Sequence, residues 1–132
     1  MALMPVRRDQ LTAFFFDGTV RGEFLLLRDV VTGDLLDPRT DTSWARDRFE
    51  PVSASGRATV VSWAVPHVRV PGGDDLRTVV GIVELEEGPW WWTELRGADP
   101  EADLLGARVV VEFERSGPGD SDETIPYFVL EG

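Results

Sequence analysis

The second half of the chain alternates apolar and polar residues in short runs, a pattern typical of β-strands with one buried face. Glycine, proline and acidic residues separate these runs and are expected to form turns. The five predicted strands span residues 57–70, 78–85, 90–95, 107–114 and 125–130. Between the third and fourth strands, residues 97–105 indicate a loop with one helical turn. Five consecutive strands with a helical insertion at that point predict a five-stranded OB-fold barrel.

The first half has a different pattern. Asp9 is predicted to cap a short amphipathic helix over residues 9–16, which Asp17 and Gly18 would end. A second short turn or helix over residues 20–23 would lead into an apolar strand at 24–27, which turns at 32–34 and returns through 35–36. Residues 37–43 are turn-rich and predicted to be irregular. The chain is therefore expected to be one mostly β unit with three parts, at residues 1–23, 24–55 and 56–132.

Composition narrows the possible functions. The 132 residues fit one domain, and the absence of cysteine excludes disulfides, thiolate metal sites and cysteine nucleophiles. The formal charge is −11, which disfavours binding to a nucleic-acid backbone. All 13 basic residues are arginine, a composition typical of a high-GC bacterial genome. No apolar run is long enough for a signal peptide or a membrane span, so a cytoplasmic protein is expected.

The most unusual local feature is the run Trp90, Trp91 and Trp92. Consecutive strand residues point to opposite faces, so Trp90 and Trp92 should share one side and Trp91 should occupy the other. Two interpretations stay open. The indoles fill and cap the barrel, or they form an exposed aromatic contact for a partner subunit or an acyl chain.

Conventional catalytic groups are sparse. His67 is the only histidine, and without a companion ligand or an adjacent nucleophile a surface or strand-end position is favoured over a catalytic one. The carboxylates of Glu84, Glu86, Glu87 and Glu94 are more typical of solvated charge than of paired acid–base groups.

Several short motifs follow one another in an order that is specific as a set. They are FFDG at 15–18, GEFLLLR at 22–28, VVGIVELEEGP at 79–89, LGARVVVEF at 105–113 and IPYF at 125–128. This order resembles the acyl-CoA-associated OB-fold family long catalogued as domain of unknown function thirty-five. The resemblance extends over nearly the whole chain and implies the same barrel with a helical lead-in.

The chain departs from that family in two respects: the Pro-Tyr pair before the second barrel strand is replaced by Arg77 and Thr78, and the cysteines of a zinc ribbon are missing. Family members carry a rubredoxin-like zinc ribbon with two cysteine pairs, and here the pairs fall at Asp29 and Thr32 and within residues 40–43. Asp and Thr oxygens do not replace four thiolates around zinc, so residues 24–55 are expected to form a degenerate, metal-free ribbon with no zinc cofactor. The segment would then be held by packing of Phe24, Leu26, Leu35 and Trp44.

The resemblance implies a non-catalytic accessory subunit. Relatives of this kind pack on thiolase-like enzymes, such as sterol-carrier-type thiolases or aldolases of steroid metabolism, or on hydratases, and help position or channel acyl-CoA. Arginine suits CoA phosphates because its planar fork makes bidentate contacts. Surface arginines paired with nearby carboxylates are nevertheless the favoured interpretation of Arg28, Arg39, Arg46 and Arg48. The candidate partner- or acyl-CoA-binding residues are Arg28, Arg39, Trp44, Trp90, Trp91 and Trp92. A stand-alone acyl-CoA enzyme and a nucleic-acid binder are the alternatives.

Overall fold

The computed structural model describes residues 8–10, 12–69 and 75–131. One helix, one 3-10 turn and ten strands follow one another in the described part of the chain. They are α1 (Ala13–Val20), β1 (Leu25–Asp29), β2 (Leu35–Leu36), a 3-10 turn (Arg46–Arg48), β3 (Phe49–Ser53), β4 (Arg57–Ala64), β5 (His67–Arg69), β6 (Asp75–Arg77), β7 (Val80–Leu85), β8 (Trp90–Arg96), β9 (Arg108–Arg115) and β10 (Thr124–Leu130).

Five strands form a closed barrel in the order β10-β8-β7-β4-β9. All neighbours are antiparallel except β8 and β10, which are parallel. The mostly β class and the five-stranded OB barrel predicted from the sequence are thus confirmed. The inward positions of the alternating runs fill the core, where Val60, Val83, Val109 and Phe128 are almost completely buried.

The first predicted strand is shorter than expected. It ends at Ala64, and after Val65 and Pro66 the chain forms the separate β5–β6 hairpin instead of continuing to residue 70. Val70 itself lies outside the described residues. Pro66 explains the break, because proline has no N–H to donate to a strand ladder.

The helical predictions need three corrections. The helix spans Ala13–Val20 and not residues 9–16, and Asp9 accepts the N–H of Thr12 (2.9 Å) one residue before the helix begins. Val20 is the last residue of the helix and a turn follows at Arg21 and Gly22, as one of the two predicted alternatives had it, but Gly22 and not Gly18 has the positive φ (75°). Residues 97–105 form turns without a helix.

Residues 24–55 form a three-stranded antiparallel sheet in the order β2-β1-β3. Phe24 and Leu26 are buried as predicted and Leu35 is half-buried, but Trp44 is 66% exposed and packs edge-on against Phe49 with ring centroids 5.6 Å apart. Trp44 therefore packs on the surface of this segment and is not part of its core.

A charged pair closes the turn after β1. The Asp29 carboxylate accepts the backbone N–H groups of Val31 (2.9 Å) and Thr32 (3.3 Å) and forms an ion pair with Arg48 (2.8 Å). Arg48 and the two N–H groups lower the pKa of Asp29 to about 2. An ion pair thus joins the turn after β1 to the 3-10 turn before β3.

An aromatic cluster connects the helix, the three-stranded sheet and the barrel. The ring of Phe24 lies 5.1 Å from that of Phe15 in α1, 4.9 Å from that of Trp91 in β8 and 6.3 Å from that of Phe128 in β10. Phe24 is only 2% exposed. The three parts of the chain therefore share one hydrophobic core.

Candidate functional site

The barrel wall is open at one point. β8 and β10 close the barrel through only two residue pairs, Leu95 with Phe128 and Arg96 with Val129. β8 and β7, in contrast, are paired along the strand from Trp90 to Glu94. On the other side of the same stretch, β8 and β10 diverge, and a cleft lies between them.

Pro126 explains why the ladder stops. The N–H of Leu95 donates to the carbonyl of Val79 on the β7 side (2.8 Å). Since peptide groups alternate along a strand, the N–H and C=O of Trp92 point away from β7 and towards β10. Extending the parallel ladder back from Phe128 would require residue 126 to donate to Trp92, and Pro126 has no N–H.

The cleft has a volume of about 340 Å³ and a mostly apolar lining. It is bounded by α1, by the loop after β2 and by the diverging halves of β8 and β10. Its lining residues are Thr12, Phe15, Phe16, Pro38, Arg39, Trp91, Trp92, Thr93, Glu94, Ile125, Pro126 and Tyr127.

Trp91 forms the floor of the cleft. Its ring stacks on Phe15 at 5.3 Å and meets Phe24 edge-on at 4.9 Å. The half-buried Trp91 is therefore fixed from two sides by the aromatic cluster. Such an aromatic floor offers a rigid apolar surface at little cost in conformational entropy.

Arg39 lies over this floor. Its guanidinium carbon is 4.6 Å from the centre of the Trp91 ring, a cation–π distance. Asp37 accepts two hydrogen bonds from the same guanidinium, at 2.7 Å and 3.1 Å. This hydrogen bonding raises the pKa of Arg39, so the group is positively charged at any physiological pH. The side chain is about half exposed, and it forms a charged edge to an apolar cleft.

The opposite rim is net negative. The Arg96 guanidinium stacks on Tyr127 at 3.8 Å and pairs with Glu94 (2.7 Å) and Glu114 (2.6 Å). The Tyr127 hydroxyl donates to Glu112 (2.9 Å), which raises the pKa of the phenol. Two carboxylates thus pair with the Arg96 guanidinium, and a third, that of Glu112, accepts from Tyr127 on the same wall.

The other two indoles lie on the outside of the barrel. Trp90 is 56% exposed and Trp92 is 57% exposed, opposite Glu84 and Ile82 of β7 respectively. Trp92 also lines the cleft, so the exposed indoles and the cleft form one continuous apolar surface. The predicted division, with Trp90 and Trp92 on one side and Trp91 on the other, is confirmed.

The candidate residues fall into two groups. Arg39, Trp91 and Trp92 meet at the cleft with Trp90 beside them, whereas Arg28 lies in β1 and Trp44 lies in the loop between β2 and β3. Arg28 forms an ion pair with Glu50.

Sequence reasoning missed several residues of the cleft. Phe15, Phe16, Ile125, Pro126 and Tyr127 all belong to motifs that carried the family resemblance, but nothing singled them out as a site. The available signal was the proline inside a predicted strand, because proline there marks an unpaired strand edge.

The remaining candidates form no second site in the described residues. His67 begins β5 opposite Arg77. Within the described ranges, no group of three or more His, Cys, Asp or Glu residues has an arrangement that could hold a metal ion. No described helix has the length and apolarity needed to cross a membrane.

Known proteins resemble this chain in sequence and in fold. Residues 51–114 match the family described as ChsH2, C-terminal OB-fold domain. The 3-oxo-4,17-pregnadiene-20-carboxyl-CoA hydratase alpha subunit of Mycobacterium tuberculosis (strain ATCC 25618 / H37Rv) is 37% identical over 111 residues, which make up 82% of this chain and 35% of that subunit. The chain thus spans about a third of the length of this curated relative.

A solved structure, the Ltp2-ChsH2(DUF35) aldolase, is similar with a TM-score of 0.77 and 25% sequence identity. The match covers 93% of this chain and 96% of that one. With the ordered motifs and the barrel topology, these matches show that the chain belongs to the acyl-CoA-associated OB-fold family, domain of unknown function thirty-five.

Proposed function

We propose that this chain is a non-catalytic partner subunit of a thiolase-like enzyme, a sterol-carrier-type thiolase or an aldolase, and helps to position that enzyme's acyl-CoA substrate. The observation that carries the proposal is the continuous apolar surface formed by Trp90, Trp92 and the cleft. Two indoles, each more than half exposed, are an unusual feature of a chain with a net charge of −11. Exposed aromatic surface of this kind is typical of protein interfaces.

The relatives support an enzyme complex in acyl-CoA metabolism. One is the alpha subunit of a carboxyl-CoA hydratase, and the other is the Ltp2-ChsH2(DUF35) aldolase. Residues 51–114 of this chain match the C-terminal OB-fold domain of ChsH2. We infer that the reaction takes place in the partner and that this chain contributes a surface next to it.

The phosphates of the CoA moiety would have to bind positively charged side chains. Arg28 and Arg39 are the cationic candidates, and each already forms an ion pair, with Glu50 and Asp37 respectively. Both remain exposed enough for a phosphate to compete for them. We therefore propose that acyl-CoA is held mainly by the partner, with Arg39 contributing a charge at the boundary.

Co-expression with the thiolase-like enzyme encoded in the same genome tests the proposal. We expect the two proteins to co-elute in size-exclusion chromatography and the enzyme to turn over acyl-CoA faster in the complex. Trp90→Ala should weaken the complex, whereas Leu105→Ala, which alters an exposed apolar residue outside the cleft lining, should not. Separate elution with unchanged enzyme activity would refute a partner role, and turnover by the isolated chain would refute a non-catalytic one.

A further inference from the structure

The open edge of β8 has a feature that an ordinary apolar surface lacks. The N–H and C=O of Trp92 point towards β10, and in the part of the chain that the structure describes the β8–β10 pairing stops short of Trp92. A strand edge with unpaired N–H and C=O groups is a template for a further strand. An acyl chain would cover these groups without forming hydrogen bonds to them, which costs free energy.

From this geometry we propose that the cleft receives an extended segment of the partner subunit, which adds to β8 as a strand between β8 and β10. This inference rests on the proposed function and names the partner contact. The segment would pair with β8 only, because Pro126 has no N–H to offer from the β10 side. The stretch from Trp90 to Glu94 is about 14 Å long at a rise of about 3.4 Å per residue, enough for three to five paired residues.

Charge specifies the segment further. Both arginines near the cleft, Arg39 and Arg96, pair with carboxylates, so the cleft has no excess of positive charge. Glu94, Glu112 and Glu114 outnumber the single guanidinium of Arg96, so the wall around Tyr127 is net negative, and Glu84 lies opposite Trp90 on the outer face. A complementary strand has apolar side chains facing Trp91 and Ile125 and carries Lys or Arg at its flanks.

Residue-specific amide hydrogen exchange of the chain, alone and in complex with the thiolase-like partner, tests this. In the free chain the Trp92 amide should exchange rapidly, because its N–H faces the cleft, whereas the amides of Trp91 and Thr93 are protected by β7. In the complex we expect protection of the Trp92 amide by about 100-fold or more, with little change at Trp91. The Trp91 amide is the matched control within the same strand.

A proline substitution tests the same geometry in the other direction. Pro126→Val restores the missing donor and should let β10 pair with β8, which closes the cleft. We expect the affinity for the partner to fall by about 30-fold, the size of an interface hot spot. Pro118→Val, in the exposed loop between β9 and β10, is the control and should bind normally.

The outcomes separate the two proposals. A stable complex in which the Trp92 amide stays unprotected and Pro126→Val binds normally overturns the strand addition but leaves the partner role. Protection of the Trp92 amide by an acyl-CoA alone, with displacement of the partner, overturns it in favour of a ligand cleft. Failure of the proteins to associate at all overturns both.

Discussion

Phe24 should control the stability of the whole chain, because its ring joins the helix, the three-stranded sheet and the barrel. The substitution Phe24→Ala tests this role. The side chain is 2% exposed, and three aromatic neighbours lie within 6.3 Å of its ring centre. No polar group is removed, so the effect is one of lost burial and of the cavity left behind.

Truncation of a buried phenylalanine to alanine lowers the free energy of unfolding by about 3–5 kcal/mol. A domain of this size is stable by about 5–15 kcal/mol, so the substitution removes a large share. At about 4 °C per kcal/mol, the melting temperature should fall by about 10–20 °C. The loss should affect every part equally, since the cavity borders all three.

Circular dichroism gives the melting temperature, and amide hydrogen exchange shows which strands lose protection. We expect one transition, with β1 and β3 losing as much protection as β7 and β9. Phe49→Ala is the control, because Phe49 is half-buried and packs on the exposed Trp44. The control substitution should lower the melting temperature clearly less than Phe24→Ala does. Two separate transitions, or a fall of less than about 4 °C for Phe24→Ala, would show that the aromatic cluster does not join the parts.

Other predictions concern the ion pair and the barrel. Because Arg48 lowers the pKa of Asp29 to about 2, the ion pair stabilises the three-stranded sheet above about pH 4, and this stabilisation is lost as the pH falls through about 2. Asp29→Asn should remove this pH dependence in an acid titration that is monitored by amide exchange. Excess EDTA should leave the melting curve unchanged, and a lower melting temperature in EDTA would contradict a metal-free sheet. Gly81→Ala should lower the free energy of unfolding measured by chemical denaturation by about 1–3 kcal/mol, because the new Cβ would lie 2.5 Å from the Ser62 carbonyl oxygen. The control Ser62→Ala alters an exposed side chain and should change this free energy by less than about 0.5 kcal/mol.

The barrel could be predicted because each of its strands is specified by residues that are close together in the sequence. Each strand has its own alternation of apolar and polar residues and its own turn residues, and burial of the inward face determines the register. The prediction failed at residues 57–70, where β-branched residues continue past Pro66 but the strand ladder does not. The strand propensity of these residues favoured a long strand. The strand ends because Pro66 has no backbone N–H to donate to the ladder.

The helix was misplaced for a tertiary reason. Gly18 resembles a helix C-cap, but it lies inside α1, where a Cβ would come within 2.7 Å of the Leu25 side chain. Glycine at this position serves close packing of the helix on β1, and no local pattern distinguishes that use from a cap. The turns at 97–105 have a similar explanation, since side chains such as Asp99, which accepts the N–H of Glu101 (2.9 Å), stabilise turns in place of a helix.

The cleft was only partly predictable. The three tryptophans were recognisable as a group, and alternation along the strand gave their faces correctly. Trp91, Arg39 and Pro126 meet in one cleft because of the way in which β8 pairs with β10. The pairing register determines which backbone groups of β8 point towards β10. The alternation of apolar and polar residues does not give this register for the short ladder that closes a barrel.

The position of Arg39 depends on the loop after β2, which short-range hydrogen bonds hold in place. Asp37 accepts the backbone N–H (2.6 Å) and the guanidinium of Arg39, and its carbonyl accepts the Thr40 hydroxyl (2.6 Å). The same carboxylate therefore shapes the turn and directs the guanidinium over Trp91. Because Asp37 makes both contacts, the charge at the edge of the cleft is set by the loop itself.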